Sequence, residues 1–137
     1  MSGTEAEARI KINKMLEEAG WRLCDNENGR KNVDLEIATK VRRNEQECKG
    51  AIDYLLLDSH NFPLCVLEAK KDSINPLSAK DQARAYAEAQ GIRFVILSNS
   101  QIHYLWDIKS GNPQVITAMP SKNLLSIKKN SDPIPKI

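Results

Sequence analysis

Two short apolar runs with acids set into them dominate the pattern of this chain. Gly50-Ala51-Ile52-Asp53-Tyr54-Leu55-Leu56-Leu57 and Pro63-Leu64-Cys65-Val66-Leu67-Glu68-Ala69-Lys70-Lys71 have the length and composition of buried strands. Between them, Asp58-Ser59-His60-Asn61-Phe62 is rich in turn formers. Together they read as an antiparallel hairpin centred between His60 and Asn61. Upstream, Thr4-Glu5-Ala6-Glu7 is a capping box, and Ala8, Ile12, Met15, Leu16 and Ala19 follow at helical spacing. A helix is predicted from there to about Ala19, ending at Gly20. Glu5 stands at the start of its buried face, where a lone carboxylate needs a partner. Trp21-Arg22-Leu23 begins an extended stretch. Val33 to Thr39 alternates in part and reads as a strand or short helix, whereas Arg42 to Lys49 is almost wholly polar and reads as an exposed loop.

Downstream the pattern is plainer. Asp72-Ser73-Ile74-Asn75-Pro76 is a loop, and Ser78-Ala79-Lys80-Asp81 resembles a second capping box, with Asn75-Pro76 as an alternative start. The helix runs over 80–90 and stops at Gly91. Ala79, Ala83, Ala85, Ala87 and Ala89 let it pack closely on a sheet. Residues 93–98 form a buried strand, Asn99-Ser100 a turn, and residues 101–106 another strand. A strand, a helix and a strand imply a right-handed crossover and a parallel pair. The fold class is therefore α/β (α+β), a mixed central sheet flanked by helices, over residues 1–108. From Lys109 the chain carries Pro113, Pro120, Pro133 and Pro135 and Lys122, Lys128, Lys129 and Lys136. Apart from Leu124-Leu125 it has little periodicity, and 109–137 reads as an extension or linker toward a following domain.

The acids in the apolar runs are the candidate chemistry. Residues two apart on a strand share a face, so Glu68 and Lys70 point the same way. The hairpin places Asp53 opposite Glu68, with Cβ atoms roughly 4.5–5.5 Å apart. Two carboxylates that close repel unless one is protonated or a cation lies between them. A divalent cation is the simplest answer, with Lys70 beside it. Hard oxygen ligands suit Mg²⁺, which also binds phosphate oxygens, so the set is suited to phosphodiester cleavage. The plainer alternatives are that the E-x-K acid and base mark a solvated strand face and that Asp53 ends a strand and caps a loop.

Asp53 followed by Glu68-Ala69-Lys70 resembles the PD-(D/E)XK nuclease signature, with Ile52-Asp53 in place of the literal Pro-Asp. Gln82 and Tyr86, at i,i+4 on one helix face, look like the Q-x-x-x-Y element of a subgroup that includes RecB-like nucleases and type I restriction R subunits. Their amide and hydroxyl can hydrogen-bond a phosphate, nearby backbone or the surroundings of the lysine; alternatively Tyr86 packs in the core and Gln82 faces solvent. Thr4-Glu5-Ala6-Glu7-Ala8-Arg9, Ala19-Gly20-Trp21, Phe94-Val95-Ile96-Leu97-Ser98-Asn99 and Asp107 after Trp106 are similar to the N-terminal domain of such an R subunit, over about residues 4 to 107. The resemblance implies a restriction-endonuclease-like αβββαβ core and a Mg²⁺-dependent endonuclease acting on double-stranded DNA, with Mn²⁺ as a substitute. It implies that Asp53 and Glu68 hold the metal, helped by Glu5 and the Ala69 carbonyl, and that Lys70 serves the attacking water or the transition state. Gln82 and Tyr86 would orient the site. Lys71 and Arg84 are candidate phosphate contacts or ordinary solvated charges. The partners implied are motor domains and specificity and methyltransferase subunits. ATP would serve motor domains only, since the chain has no G-x-x-x-x-G-K-[ST] loop. The rival readings are a DNA-binding or subunit-docking module with a relic site, and a structural domain mediating assembly.

Composition narrows the setting. A chain of 137 residues, 41% hydrophobic and 28% charged, suits one soluble globule. Its net charge of +2 is too small for a polybasic nucleic-acid binder, so DNA contact must come from a local patch or a partner domain. No stretch is long enough to span a membrane, the N-terminus has no apolar signal core, and Cys24, Cys48 and Cys65 fit neither a disulfide framework nor a zinc site. A cytoplasmic protein with reduced thiols is expected. His60 and His103 are isolated and read as loop or surface residues.

Overall fold

The computed structural model describes residues 4–43 and 46–130, and the side chains of residues 36–52 lie outside that description. Pro133, Pro135, Lys136 and the Cys48 side chain therefore fall beyond it. The elements are α1 (Glu5–Glu18), β1 (Val33–Arg43), β2 (Gln46–Leu57), β3 (Pro63–Ala69), α2 (Lys80–Gln90), β4 (Phe94–Ser98), β5 (His103–Asp107), β6 (Gln114–Ile116) and α3 (Lys122–Lys129), with a 3-10 turn at Pro76–Ala79. The six strands lie in sequence order in one sheet. Only the β3–β4 pair is parallel, and α2 makes the crossover between them.

Continuous apolar runs in β3 and β4 are buried on both faces, which sorts their side chains by parity. Leu56, Leu67, Phe94 and Ile96 join Ile12 and Leu16 of α1 in one core cluster. Leu55, Val66, Val95 and Leu97 join Ala83, Tyr86 and Ala87 of α2 in the other. The small alanine side chains let α2 lie close to the sheet. Thr4 caps α1 by accepting from the Glu7 amide at 3.1 Å, as the capping box predicts. Gly91, at φ 70°, ends α2 in the left-handed conformation that glycine adopts without a Cβ penalty. α2 begins at Lys80 as predicted, without a side-chain cap; Asn75 caps the 3-10 turn before it by accepting from Leu77 N.

The β2–β3 hairpin keeps the predicted register at Tyr54–Leu67, Leu55–Val66 and Leu56–Cys65, then shifts to Leu57–Pro63. Asp58 Oδ1 accepts from the His60 and Phe62 amides at 2.8 and 3.0 Å, and Asn61 takes φ 64°. That side-chain-capped turn supplies the shift which a symmetric hairpin lacks.

Four expectations are corrected. Trp21-Arg22-Leu23 forms no strand; Arg22 N donates to Asn32 Oδ1 at 2.7 Å, and Asn26 and Gly29 close a tight turn. The polar stretch after Arg42 is not a loop: β1 and β2 pair continuously out to Arg43–Gln46. Backbone hydrogen bonds between those strands carry the pairing, and no side-chain pattern reports them. His103 is no surface residue but is buried on β5. Residues 109–130 are not structureless: β6 adds to β5, and Met119 and Leu125 enter the α1-side core. Trp21 Nε1 donates to Pro120 O at 2.8 Å, and Ser121 caps α3 through Leu124 N. Among the described residues no helix is long and apolar enough to cross a membrane.

Leu125 is fully buried, so Leu125→Ala is expected to cost about 2–5 kcal/mol by leaving a cavity. Urea unfolding of the two proteins checks this. A cost near zero would mean that α3 contributes nothing to the core.

Candidate active site

The ladder between β2 and β3 last pairs Tyr54 with Leu67, and the two carboxylates fill the place where it stops. Asp53 N donates to Glu68 Oε1 at 3.3 Å. Ala69 N donates to Asp53 Oδ2 at 2.8 Å. Each acid thus satisfies a main-chain amide at the end of the ladder and is held against the other strand. Both residues are buried, Asp53 at 6% and Glu68 at 5% exposure. By strand alternation they lie on the face of Leu55 and Val66, the side covered by α2. Burial first, and the Asp53 charge second, push the Glu68 carboxyl up from 4.5 to about 8; Asp53 N and nearby Lys70 act the other way.

Lys70 directly follows β3, half-buried, and its amide donates to Ser98 O at 2.8 Å. The next turn of chain is clamped by Asn99. Its Nδ2 donates to Asp72 O at 3.2 Å and Ile74 O at 3.0 Å. Its Oδ1 accepts from Gln101 N at 2.9 Å and Ile102 N at 2.8 Å. One buried side chain thereby ties the exit from the E-x-K strand to the β4–β5 turn. Beside it, Ser98 Oγ accepts from Ser100 N at 3.1 Å and lies 2.7 Å from His103 Nδ1. The Ser98 hydroxyl and His103 Nδ1 thus share one hydrogen bond inside the fold. Burial holds the His103 pKa below its ordinary value, which favours the neutral ring.

The opening helix supplies the cation facing Asp53. Arg9 Nη2 donates to Asp53 Oδ1 in an ion pair and lies 3.7 Å from Glu5 Oε1. Tyr54, the chain neighbour of Asp53, is buried and sends its hydroxyl to Asn13 Oδ1 at 2.7 Å and Arg9 O at 3.2 Å. Those bonds fix α1 against β2. Arg9 flanks the Ala8–Ile12–Leu16 stripe, and its tie to Glu5 one turn earlier is readable in sequence. Its tie to Asp53 is not. The polar clamp of Asn99, Ser98 and His103 had no local signal either, since it joins segments that meet only in the fold.

The other predicted site residues sit as follows. Asp53, Glu68, Ala69 and Lys70 come together. Glu5 is exposed and faces Arg9 rather than the carboxylate pair. Tyr86 packs in the α2-side core while Gln82 is exposed, which is the plainer of the two alternatives for that pair. Lys71 is exposed. Arg84 donates to Glu88 Oε1 at 2.6 Å and stands 5.5 Å from the centre of the Trp106 ring, so its charge is already engaged.

The donor set fits a divalent cation. Two buried carboxylates lie close enough for the Asp53 charge to raise the Glu68 pKa, and their mutual repulsion is what such an ion would relieve. Among the described residues no group of three or more His, Cys, Asp or Glu converges, and within that set the further oxygens available to an ion are main chain such as Ala69 O, and water. That composition suits Mg²⁺, which keeps several waters.

Known proteins share the family and the fold of this chain. The model of the family "Type I restriction enzyme R protein N terminus (HSDR_N)" matches residues 23–121. A solved structure, the fragment assigned to an HsdR subunit of a type I restriction enzyme from Vibrio vulnificus YJ016, is similar at a TM-score of 0.76 and 25% identity. The alignment covers 94% of this chain and 26% of that one, so the chain spans about a quarter of that protein's length. A cryo-EM structure of a DrdV–DNA complex aligns over 94% of this chain and 14% of that one, at 15% identity and a TM-score of 0.44, too remote to bear on the site. No curated protein matches.

Glu68 generates a pH dependence of defined sign. Its folded pKa of about 8 exceeds the ordinary 4.5, so the folded state holds a proton that the unfolded state has lost. The stability from this proton is full below the unfolded value and is lost as pH rises through the folded one. The metal-free protein is expected to melt at progressively lower temperature from about pH 5 to about pH 8, and Glu68→Gln is expected to flatten that decline. Calorimetric scans with chelator check this; an identical decline in the variant would exclude Glu68 as its source.

Proposed function

This chain belongs to the family of type I restriction enzyme R protein N termini, and from that premise we propose that Asp53, Glu68 and Lys70 form a Mg²⁺-dependent site that hydrolyses DNA phosphodiester bonds. The observation that carries the reading is the meeting of two buried carboxylates at the end of the β2–β3 ladder, with Lys70 just past the end of β3. Asp53 and Glu68 would hold the metal, with Ala69 O on the same strand as a further ligand and Mn²⁺ as a substitute. When bound, Mg²⁺ supplies charge stabilisation at the phosphate and a more acidic water. Lys70 would act there from a backbone position secured by Ser98 O, close enough for its charge to bear on Glu68. There its amine can take a proton from the attacking water or offset charge developing on the phosphate. Lys71 adds a charge that can meet the DNA backbone. Tyr86 supports the site through α2 packing, while Gln82 stands exposed on the same helix.

The substrate proposed is double-stranded DNA without sequence choice by this domain. A net charge of +2 provides little general attraction to a polyanion, so delivery of DNA falls to other parts of an R subunit assembly. Those parts are ATP-driven motor domains, with specificity and methyltransferase subunits alongside. No phosphate-loop motif occurs in the sequence, so ATP use is assigned to the motor domains alone.

Two substitutions test the reading. Asp53→Ala should abolish Mn²⁺ binding by the purified chain, measured by titration calorimetry. Lys70→Ala, placed in an R subunit carrying this sequence, should lower single-turnover cleavage roughly 10²-fold or more while leaving DNA affinity unchanged. Normal cleavage by Lys70→Ala would refute the assignment. Unaltered Mn²⁺ affinity in Asp53→Ala would favour a docking module with a relic site.

A further inference from the structure

Asp53 and Glu5 share one cation. Arg9 ion-pairs with the buried Asp53 carboxylate and stands 3.7 Å from Glu5 Oε1, one helical turn earlier. Asp53 has both oxygens in use, Oδ2 on Ala69 N and Oδ1 on Arg9. Oδ2 keeps Ala69 N, since releasing it would strand a buried donor, and a cation shared by Asp53 and Glu68 sits on the carboxylate that Arg9 already occupies. A dication and a guanidinium on one carboxylate repel strongly in a poorly solvated site. Arg9 has somewhere to go. Glu5 is exposed and already within ion-pair range, while the Arg9 backbone stays anchored by the Tyr54 hydroxyl.

Resting on the reading of Asp53 and Glu68 as holders of a divalent cation, we propose that Arg9 is a displaceable counter-ion that moves from Asp53 to Glu5 when the cation enters. Glu5 is then a positioning residue that acts through Arg9, not a metal ligand. The exchange keeps the carboxylate pair neutralised at every stage. It also makes cation affinity depend on how firmly α1 holds Arg9, since a site closed part of the time binds its ligand more weakly in proportion to the open fraction.

The test is a titration of Mn²⁺ alone into the 137-residue chain, as wild type, Glu5→Gln, Arg9→Gln and the double variant. Arg9→Gln is expected to bind about tenfold more tightly, as for a site otherwise open about a tenth of the time. Glu5→Gln is expected to bind about twofold more weakly than wild type, the size of an exposed i,i+4 ion pair, and to have no effect in the Arg9→Gln background. That loss of effect is the decisive readout. A Glu5 that ligates the metal would weaken binding equally in both backgrounds and overturn the proposal. Arg9→Gln binding no tighter than wild type would overturn it too and leave the cation site itself standing. No binding by any of the four would remove the cation site and the exchange together. Arg9→Met replaces Arg9→Gln if the latter does not fold, and Glu5→Gln, on an exposed residue, serves in either case.

Discussion

Asp53 and Glu68 face each other at the end of a ladder in a sheet otherwise filled with leucine, valine and isoleucine. Burying one carboxylate is expensive, and burying two together is more so. Nearly everything around them answers that cost. The Asp53 and Ala69 amides donate to the acids, Arg9 neutralises Asp53, and Glu68 tends toward its protonated form. An apolar pair would stabilise the sheet better at this point. The acids are therefore best understood through what they can bind.

The supports reach the site from three directions, and none is a surface ornament. Tyr54 belongs to the α1-side core yet spends its hydroxyl on Asn13 and the Arg9 carbonyl. It locks helix and strand in one register, so that Arg9 and Asp53 meet. Asn99 performs the corresponding task on the other side. It satisfies four main-chain groups and holds the segment after Lys70 against the β4–β5 turn. Beneath both, β3 and β4 form the parallel pair at the centre of the sheet, with α2 over one face and α1 with Leu125 of α3 in the cluster on the other. The carboxylate pair thus stands beside the central strands of the sheet, while Arg9 reaches Asp53 from the more exposed first turns of α1 and Glu5 stands behind Arg9.

Much of this was legible from local pattern, and the exceptions share a cause. The apolar runs at 52–57 and 63–69, the helix stopped by Gly91 and the strand at 94–98 each follow from short-range periodicity and turn chemistry, as does the parallel pair they imply. The opposition of Asp53 and Glu68 follows from hairpin register alone, and survives the shift at Leu57–Pro63 because the shift lies on the turn side of the site. The stretch at 33–49 was harder. Its pairing resides in main-chain hydrogen bonds between two strands, to which composition is nearly blind. Residues 109–130 look like a linker because prolines interrupt them, yet Met119 and Leu125 are core residues. The large apolar residues there, Val115, Ile116, Met119, Leu124, Leu125 and Ile127, are scattered between prolines and polar residues and make no sustained period.

The sequence by itself therefore determined the class of the fold, the strands that carry the acids, and the opposition of Asp53 and Glu68. These are consequences of alternation and register, which act over a few residues. The tertiary structure alone decided which groups answer the buried charge. Arg9 lies 44 residues from Asp53 along the chain, Asn99 clamps a loop 25 to 27 residues away, and Trp21 reaches Pro120 across 99. Such partners are chosen by how helices dock on the sheet. That docking is set by the summed packing of the whole core, and no local segment encodes it.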